Sequence, residues 1–232
     1  MKFSRRFSNR LHGEPVGADT VVVVDVLRSF TTAGVALAGG AAAIYPVPGR
    51  AAMERLRRSL SGALAVGSLP GGDPAPGFDV GNSPAALSRI DLRGRAVIIS
   101  TAAGVTGLLH HRQAPRLYAA CLGNARATAS AIKAAGAGEV CFVITGEWVD
   151  RDGDEDIACA DYIEALLRGH PVSATDYERR VRHSDFGRRF AAGDHAQLPI
   201  ADLDCCAQAD CFTFAMPVRH DGDRPVIVGD AR

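Results

Sequence analysis

The sequence has no net charge and no long apolar run. Its 26 basic and 26 acidic side chains cancel across 232 residues, so no overall field attracts nucleic acid or an anionic membrane. A membrane-spanning helix needs about 18 uninterrupted apolar residues, and no stretch of the sequence is nearly that long. Residues 1–10 also lack the apolar core of a signal peptide. We therefore expect a cytoplasmic protein with no nucleic-acid or membrane partner, which binds small molecules or other copies of itself.

A disulfide framework and the common nucleotide-binding motifs are also missing. Six cysteines stand at irregular positions, which favours free thiols packed as small apolar side chains. The alternative is a metal site at Cys205, Cys206 and Cys211 near His220, but this spacing matches no standard zinc pattern. The sequence contains no GxxxxGK[ST], no GxGxxG after the first strand and no GxSxG. We therefore do not expect a nucleotide-binding protein.

What the sequence does contain is an alternation of strands and helices that occurs twice. Residues 20–25 read TVVVVD, a β-branched run typical of a central strand that is covered on both faces. A helix, a strand, a second helix and a third strand follow up to residue 66. The same five elements recur over residues 96–145 at a spacing of about 75 residues, with Tyr118 placed like Tyr45. This predicts a three-layer α/β/α sandwich with a mainly parallel sheet and two similar βαβαβ halves, although any doubly wound sheet alternates in this way.

A loop separates the two halves. Residues 69–84 are dense in Gly, Pro, Asp and Asn, which predicts a long irregular connection. We place the domain boundary after this loop. Residues 1–90 then form the first half, and residues 91–232 form the second half together with C-terminal helices and closing strands.

The C-terminal region differs in character from the halves. Residues 154–168 combine an acidic first turn with apolar residues at helical spacing, which predicts an amphipathic helix. Residues 176–192 predict one arginine-rich helix, and its interleaved acids favour a solvated face over a polyanion site. Strands at 211–218 and 225–228 are expected to complete a sheet edge.

The strongest candidate for chemistry is the turn that follows the first strand. Ligands of open parallel sheets gather at the carboxyl ends of strands, where helix N-termini offer N–H groups to anions. Asp25 and Arg28 lie there with the hydroxyls of Ser29, Thr31 and Thr32. A carboxylate suits a hard divalent cation, and a guanidinium suits phosphate oxygens. The alternative is that Asp25 only caps the helix and that Arg28 only pairs with it.

Three further segments give weaker signals. The turn at residues 100–104 contains a glycine that lets backbone approach a ligand, although small residues also help a helix pack on a sheet. Glu155 and Asp156 begin a helix, where acidic residues are expected from the macrodipole, and the alternative is a metal-binding role. Asn82 and Ser83 belong to the long loop, whose composition is typical of turns and whose length is typical of a functional loop.

Taken in order, these motifs resemble the 2-phosphosulfolactate phosphatase (ComB) family. Residues 21–32 (VVVVDVLRSFTT), 77–84 (GFDVGNSP) and 100–108 (STAAGVTGL) are similar to the opening, the middle loop and the second-half turn of that family. An asparagine turn at Asn124 and the acidic pair at residues 155–156 are similar as well. The resemblance extends over most of the chain.

The resemblance implies a magnesium-dependent hydrolase that converts 2-phospho-3-sulfolactate to 3-sulfolactate and phosphate, a step of coenzyme M biosynthesis. It implies that Asp25, Glu155 and Asp156 bind the metal and that Arg28 joins them in catalysis. It also implies a substrate pocket formed by Ser29, Thr31, Thr32, Asn82, Ser83, Ser100, Thr101, Gly104 and Asn124.

The second-half turn departs from the family, where it is usually similar to STTNGTRAL. Ala102, Ala103, Val105 and Thr106 stand where the family has a hydroxyl, an amide, a hydroxyl and a basic group. Each lost donor to a charged substrate would cost on the order of 1.5–3 kcal/mol. Two hypotheses follow. The protein is a phosphatase that keeps the magnesium-assisted reaction, on the family substrate or on another small phosphorylated acid with a less charged second group, or it is a non-catalytic anion-binding protein on the same fold.

Overall fold

Strands and helices alternate along the chain much as the pattern predicts. The computed structural model describes residues 1–7, 17–68, 75–147 and 150–231. Its strands are β1 (Lys2–Phe7), β2 (Thr20–Val24), β3 (Ala43–Pro46), β4 (Leu64–Gly67), β5 (Ala96–Ser100), β6 (Leu117–Ala120), β7 (Glu139–Ile144), β8 (Phe214–Asp221), β9 (Arg224–Ile227) and β10 (Asp230–Ala231). Its α-helices are α1 (Ser29–Ala38), α2 (Gly49–Ser59), α3 (Pro84–Leu87), α4 (Gly104–His110), α5 (Ala125–Ala134), α6 (Asp154–Arg168), α7 (Ala174–His183), α8 (Asp185–Ala192) and α9 (Ile200–Cys206).

The valine run of β2 is central to the sheet. All five residues of β2 are buried, and the strand lies between the parallel strands β6 and β7. Val22 and Val24 belong to one apolar cluster, whereas Val21 and Val23 belong to another. Successive side chains of a strand point to opposite faces, so the sheet is the middle layer of the predicted α/β/α sandwich.

The two halves build the sheet by exchanging their first strands. The strand order is β1-β7-β2-β6-β8-β9-β3-β5-β4, with β10 beside β8. Thus β2 of the first half lies between β6 and β7 of the second, and β5 of the second half lies between β3 and β4 of the first. Tyr118 lies opposite Val22 of β2, and Tyr45 lies opposite Ile98 of β5. This matching register supports an internal duplication, while the domain boundary after residue 90 stays a prediction.

The C-terminal strands join the two parts of the sheet. β8 pairs antiparallel with β6, β9 pairs antiparallel with β3, and the two strands pair with each other. The prediction that they complete a sheet edge is therefore wrong, because an apolar strand pattern does not specify its neighbours. An edge is instead formed by β1 beside β7. The sequence pattern missed β1 because its residues are polar apart from Phe3 and Phe7.

The arginine-rich segment forms two helices, α7 and α8, where one was predicted. The break is at Ser184, whose hydroxyl caps α8 by accepting a hydrogen bond from Gly187 N at 2.9 Å. A side chain at Gly187 would collide with the Val181 carbonyl oxygen, so the two helices pack closely at the break. The arginines of this segment pair with carboxylates, namely Arg179, Arg180, Arg182, Arg188 and Arg189. These pairs support the interpretation as a solvated face.

The long loop and the helices complete the description. Residues 69–74 of the predicted loop lie outside the described residues, residues 75–83 are irregular apart from a bridge between Val66 and Val80, and α3 begins at Pro84. None of the helices in the described ranges combines the length and the apolar character that crossing a membrane requires.

Candidate active site

Asp25 follows β2 directly and forms the centre of the candidate site. Its side chain is only 4% exposed. Its Oδ1 accepts a hydrogen bond from Ser29 N at 2.8 Å, and its Oδ2 accepts one from Ser29 Oγ at 2.6 Å. Asp25 therefore does cap α1, as the structural alternative expected. The capping uses only part of its capacity, since a carboxylate offers about four lone-pair sites.

The second-half turn supports Asp25 from the other side. Gly104 N donates to Asp25 Oδ2 at 2.8 Å, and Thr101 Oγ1 lies 3.0 Å from Ser29 Oγ. A Cβ at Gly104 would lie 2.5 Å from Asp25 Oδ2, so only glycine permits this approach. Ser100 points elsewhere, because its Oγ accepts a hydrogen bond from Gly49 N at 2.9 Å.

The acidic pair at the start of α6 meets the same turn, as the resemblance implied. Asp156 Oδ1 accepts a hydrogen bond from Val26 N at 2.8 Å. Its Oδ2 accepts from Thr145 N at 3.0 Å and from Gly146 N at 2.6 Å. Asp156 thereby ties α6 to the carboxyl ends of β2 and β7. Glu155 is 1% exposed, and neither of its carboxylate oxygens has a hydrogen-bond partner among the described residues.

Burial makes these acids hard to ionise. Desolvation raises the pKa of Asp156 well above its usual value, and the charges of Glu155 and Asp25 raise that pKa further. Desolvation also raises the pKa of Glu155 to about 7, against smaller lowering effects from its own backbone N–H, the Ser184 hydroxyl and Arg151. A buried carboxylate without hydrogen-bond donors binds either a proton or a cation. The unpartnered oxygens of Glu155 are therefore the feature of the site that points most directly to a ligand.

Arg28 is held from behind by a buried carboxylate. Its Nη1 donates to Asp202 Oδ2 at 2.7 Å and to the Gln197 carbonyl oxygen at 3.0 Å. Its ion pair is thus with Asp202, not with Asp25. The Arg28 side chain is 6% exposed and Asp202 is fully buried. No hydrogen bond to another described residue uses Nε or Nη2 of Arg28, so both remain available as donors.

Asp202 also fixes the loop that carries the predicted pocket residues Asn82 and Ser83. Its Oδ1 accepts hydrogen bonds from Ser83 Oγ at 2.7 Å and from Ala85 N at 3.0 Å. Asn82 is buried, and its Oδ1 has no partner among the described residues. One carboxylate on α9 therefore joins the β2–α1 turn to the middle loop.

The remaining predicted residues divide into two groups. Thr31 Oγ1 donates to the Val26 carbonyl oxygen at 2.7 Å, and Asn124 bonds Cys121 N at 2.9 Å and the Ala119 carbonyl oxygen at 3.2 Å. These two side chains stabilise their own turns. Thr32 Oγ1, in contrast, is buried without a partner among the described residues, which leaves it able to bind a ligand.

Asp202 and Gly146 belong to the site but were not predicted from the sequence. Asp202 lies 174 positions after Arg28, on a short helix that no pattern predicted. Gly146 follows β7, and a Cβ there would lie 2.6 Å from Glu155 Oε1. Asp25 was predicted because it follows the carboxyl end of a strand. Gly146 also follows the end of a strand, so the same rule could have identified it.

The carboxylate oxygens of the site partly meet the coordination needs of a hard divalent cation. Glu155 offers two buried oxygens without donors, and Asp25 Oδ1 and Asp156 Oδ1 each accept only one hydrogen bond from the described residues. Within the described ranges, no three His, Cys, Asp or Glu side chains already converge as a metal cage. Magnesium commonly uses one or two carboxylates and completes its shell with water and substrate phosphate, so the carboxylates present suffice for that mode.

The altered positions of the second-half turn have different surroundings. Val105 is 1% exposed and packs in the core, whereas Ala102 and Thr106 are exposed. Thr106 lines a separate cavity beside α2 and the β8–β9 turn. Among these positions, only Thr106 therefore brings a side-chain hydrogen-bonding group.

Comparisons with known proteins give a consistent result. A family model described as 2-phosphosulpholactate phosphatase matches residues 8–221. A protein of Bacillus subtilis (strain 168) is 29% identical over 217 residues, which cover 93% of this chain and 94% of the relative. One of Synechococcus sp. (strain RCC307) is 32% identical over 220 residues, with 84% and 87% covered. One of Carboxydothermus hydrogenoformans is 40% identical over 148 residues, with 63% and 60% covered. Each of the three is named a probable 2-phosphosulfolactate phosphatase.

Proposed function

The chain belongs to the 2-phosphosulfolactate phosphatase family, and from this premise we propose that it hydrolyses 2-phospho-3-sulfolactate to 3-sulfolactate and phosphate. The observation that carries the proposal is that one turn behind β2 holds Asp25, whose charge raises the pKa of Asp156, together with Arg28, whose Nε and Nη2 bond no other described residue. We further propose that the reaction takes place in the cytoplasm and serves coenzyme M biosynthesis. Small phosphorylated acids are then its ligands, and copies of the same chain are its expected protein partners.

Arg28 and its neighbours supply the anion site. Nε and Nη2 of Arg28 can donate to two phosphoryl oxygens, because Nη1 alone carries the pairing with Asp202. Thr32 Oγ1 adds a buried hydroxyl without a partner among the described residues. A guanidinium held in place before the substrate binds stabilises charge that develops on the phosphoryl group at little cost in reorganisation.

Magnesium would be held by Glu155 together with the less occupied oxygens of Asp25 and Asp156. When bound, it would supply positive charge that polarises the phosphoryl oxygens. The chain itself fixes these carboxylates. Ser29 and Gly104 orient Asp25, while Val26, Thr145 and Gly146 orient Asp156.

A second candidate is a phosphate monoester with a less charged second group. It is favoured by the second-half turn, where Gly104 N and Thr101 Oγ1 are already used by Asp25 and Ser29. Ala102 and Ala103 have no side-chain donors to hold a sulfonate. The arginines of α7 and α8 could compensate for them only by giving up their carboxylate partners.

Steady-state release of phosphate distinguishes these functions. The substrates are 2-phospho-3-sulfolactate, 2-phospholactate and a neutral-tailed monoester, each assayed with magnesium and with EDTA. The family function predicts magnesium-dependent turnover with the highest kcat/KM for phosphosulfolactate. A higher kcat/KM for a less charged ester would support the second candidate. Absence of phosphate release from all three would contradict both and support a non-catalytic role.

A further inference from the structure

A cavity that is lined in part by α4 has the features of a second ligand site. It has a volume of about 810 Å³ and is lined by Tyr45–Pro48, by residues of α2 and α4, by Arg112 and by the turn between β8 and β9. None of the residues assigned above to the active site lines it. Its size falls in the range of roughly 300–1,000 Å³ that is usual for small-molecule sites.

The wall of the cavity is apolar and partly flat. The ring of Tyr45 and the rings of Pro46 and Pro225 lie beside the aliphatic side chains of Leu56 and Leu109. These residues belong to three separate parts of the chain. Such a surface favours a ligand with a ring or a planar apolar part.

The rim of the cavity is positively charged. It carries Arg55, Arg112 and Arg224, and Asp223 is the one acid among the lining residues. No ion pair between described residues involves any of these three arginines. This contrasts with Arg50 and Arg57 on the same helix α2, which pair with Glu54 and Asp79. The arginines of this rim thus have no carboxylate partner among the described residues, although Arg58 of α2 shares this property and Nη1 of Arg112 donates to the Leu109 carbonyl oxygen at 3.0 Å.

The apolar wall and the positively charged rim together indicate which kind of ligand the cavity binds. A guanidinium recognises carboxylate, sulfonate or phosphate through paired N–H donors. A three-carbon phosphorylated acid has no apolar part to cover the wall, so the proposed substrate does not match this cavity. An extended polyanion would require charge beyond the rim, and the chain has no net charge.

We propose that this cavity, the arginine cavity, binds a small organic anion that carries a flat apolar group, at a site separate from the active site. The anionic group would face the three arginines, and the ring would lie against Tyr45, Leu56 and Pro225. Helix α4 contributes to both sites, since Gly104 at its start bonds Asp25 while Thr106 and Leu109 line the cavity.

Fluorescence titration with 8-anilinonaphthalene-1-sulfonate tests the proposal, because this probe joins a sulfonate to aromatic rings. We expect one saturable site on the full chain, unchanged when millimolar inorganic phosphate is present. The double variant Arg112→Ala/Arg224→Ala should weaken binding by about tenfold or more, because two charge-assisted contacts are lost. The variant Ala52→Phe, which adds a ring to the lining, should weaken it as well.

The matched control is Arg58→Ala/Arg89→Ala, which removes two exposed arginines outside the cavity. Equal loss of affinity in this control would show general charge attraction and overturn the proposal. Displacement of the probe by phosphate would place it in the active site and also overturn it. Failure of the probe to bind would also overturn the proposal, and sedimentation velocity then measures the oligomeric state. If the probe does not bind and Arg112→Ala/Arg224→Ala dissociates an oligomer, the cavity is an interface between copies of the chain.

Discussion

The turns after β2 and β5 occupy equivalent positions in the two halves, yet they contribute opposite kinds of chemistry. The turn after β2 carries a buried carboxylate and a buried guanidinium, Asp25 and Arg28. The turn after β5 carries no charged side chain, and Gly104 and Thr101 give their hydrogen-bonding groups to the first turn. A duplicated fold has thus produced one asymmetric site, in which one turn holds the charge and the other fixes its geometry.

This division of roles explains which changes the site can tolerate. A change in the first turn alters the groups that would meet a ligand, whereas a change in the second alters their placement. The alanines at positions 102 and 103 remove side chains from the supporting turn without removing the contact from Gly104. We therefore expect substitutions in the charged turn to have the largest effects, and substitutions in the residues that support it to have smaller ones.

The largest effect is expected for Asp25→Asn. An amide is a poor ligand for a hard cation, so kcat/KM for phosphosulfolactate should fall on the order of 10³-fold. The free energy of unfolding should fall by only about 1–3 kcal/mol, since one donor loses its acceptor. Asp19→Asn is the control, because Asp19 precedes the same strand and accepts a hydrogen bond from Gly138 N at 2.8 Å. Intact activity with early melting of Asp25→Asn would identify Asp25 as a structural cap.

The second effect concerns the dependence of stability on pH. The folded pKa of Glu155, about 7, lies above the usual value of 4.5. The folded state then retains a proton that the unfolded state has lost, so stability falls as the pH rises from about 4.5 to about 7. At one pKa unit per 1.36 kcal/mol, the loss is about 3 kcal/mol.

Glu155→Gln should remove this loss. In EDTA at pH 8 the variant should be more stable than the wild type by up to about 3 kcal/mol, and the gap should close near pH 4.5. Urea denaturation across this pH range measures the gap, with the exposed Glu139→Gln as control. An equal gap at every pH would show that burial of the charge is not its cause.

The third effect tests the supporting turn directly. Gly104→Ala would place a Cβ 2.5 Å from Asp25 Oδ2, so the carboxylate must move. Displacement of a catalytic group by about 1 Å costs on the order of 10²-fold in rate. Gly17→Ala is the control, because a Cβ there meets no atom within 4 Å. Activity of Gly104→Ala equal to that of the control would refute the supporting role of the second turn.

The smallest effect is expected behind Arg28. Asp202→Asn keeps the shape of the side chain but removes the charge that holds Nη1 of Arg28. We expect kcat/KM to fall about tenfold, with a lower kcat, because Arg28 is then less well placed to stabilise charge that develops on the phosphoryl group. Asp204→Asn on the same helix removes an exposed partner of Arg182 and should leave both constants unchanged. An unchanged kcat, with only a lower thermal stability, would contradict a positioning role for Asp202.

Periodicity predicted the elements of the sheet but not their neighbours. The valines of β2 identify a strand buried on both faces, and the acidic start of α6 identifies a helix. The exchange of β2 and β5 left no signal, since both strands have the same apolar pattern. The pairing of Arg28 with Asp202 depends on the packing of α9 and is invisible to local spacing. The approach of the acidic start of α6 to the turn after β2 was expected from family resemblance, not from the residues alone.

The exchange of first strands also determines when the chain can begin to fold. As the nascent chain leaves the ribosome, β2 appears early with five apolar and β-branched residues that are all buried in the native state. Its two partners begin only at Leu117 and Glu139. Pairing over such a separation is slow, and unpaired apolar strands aggregate. We therefore expect β2 to remain without its partner strands until synthesis has passed β7.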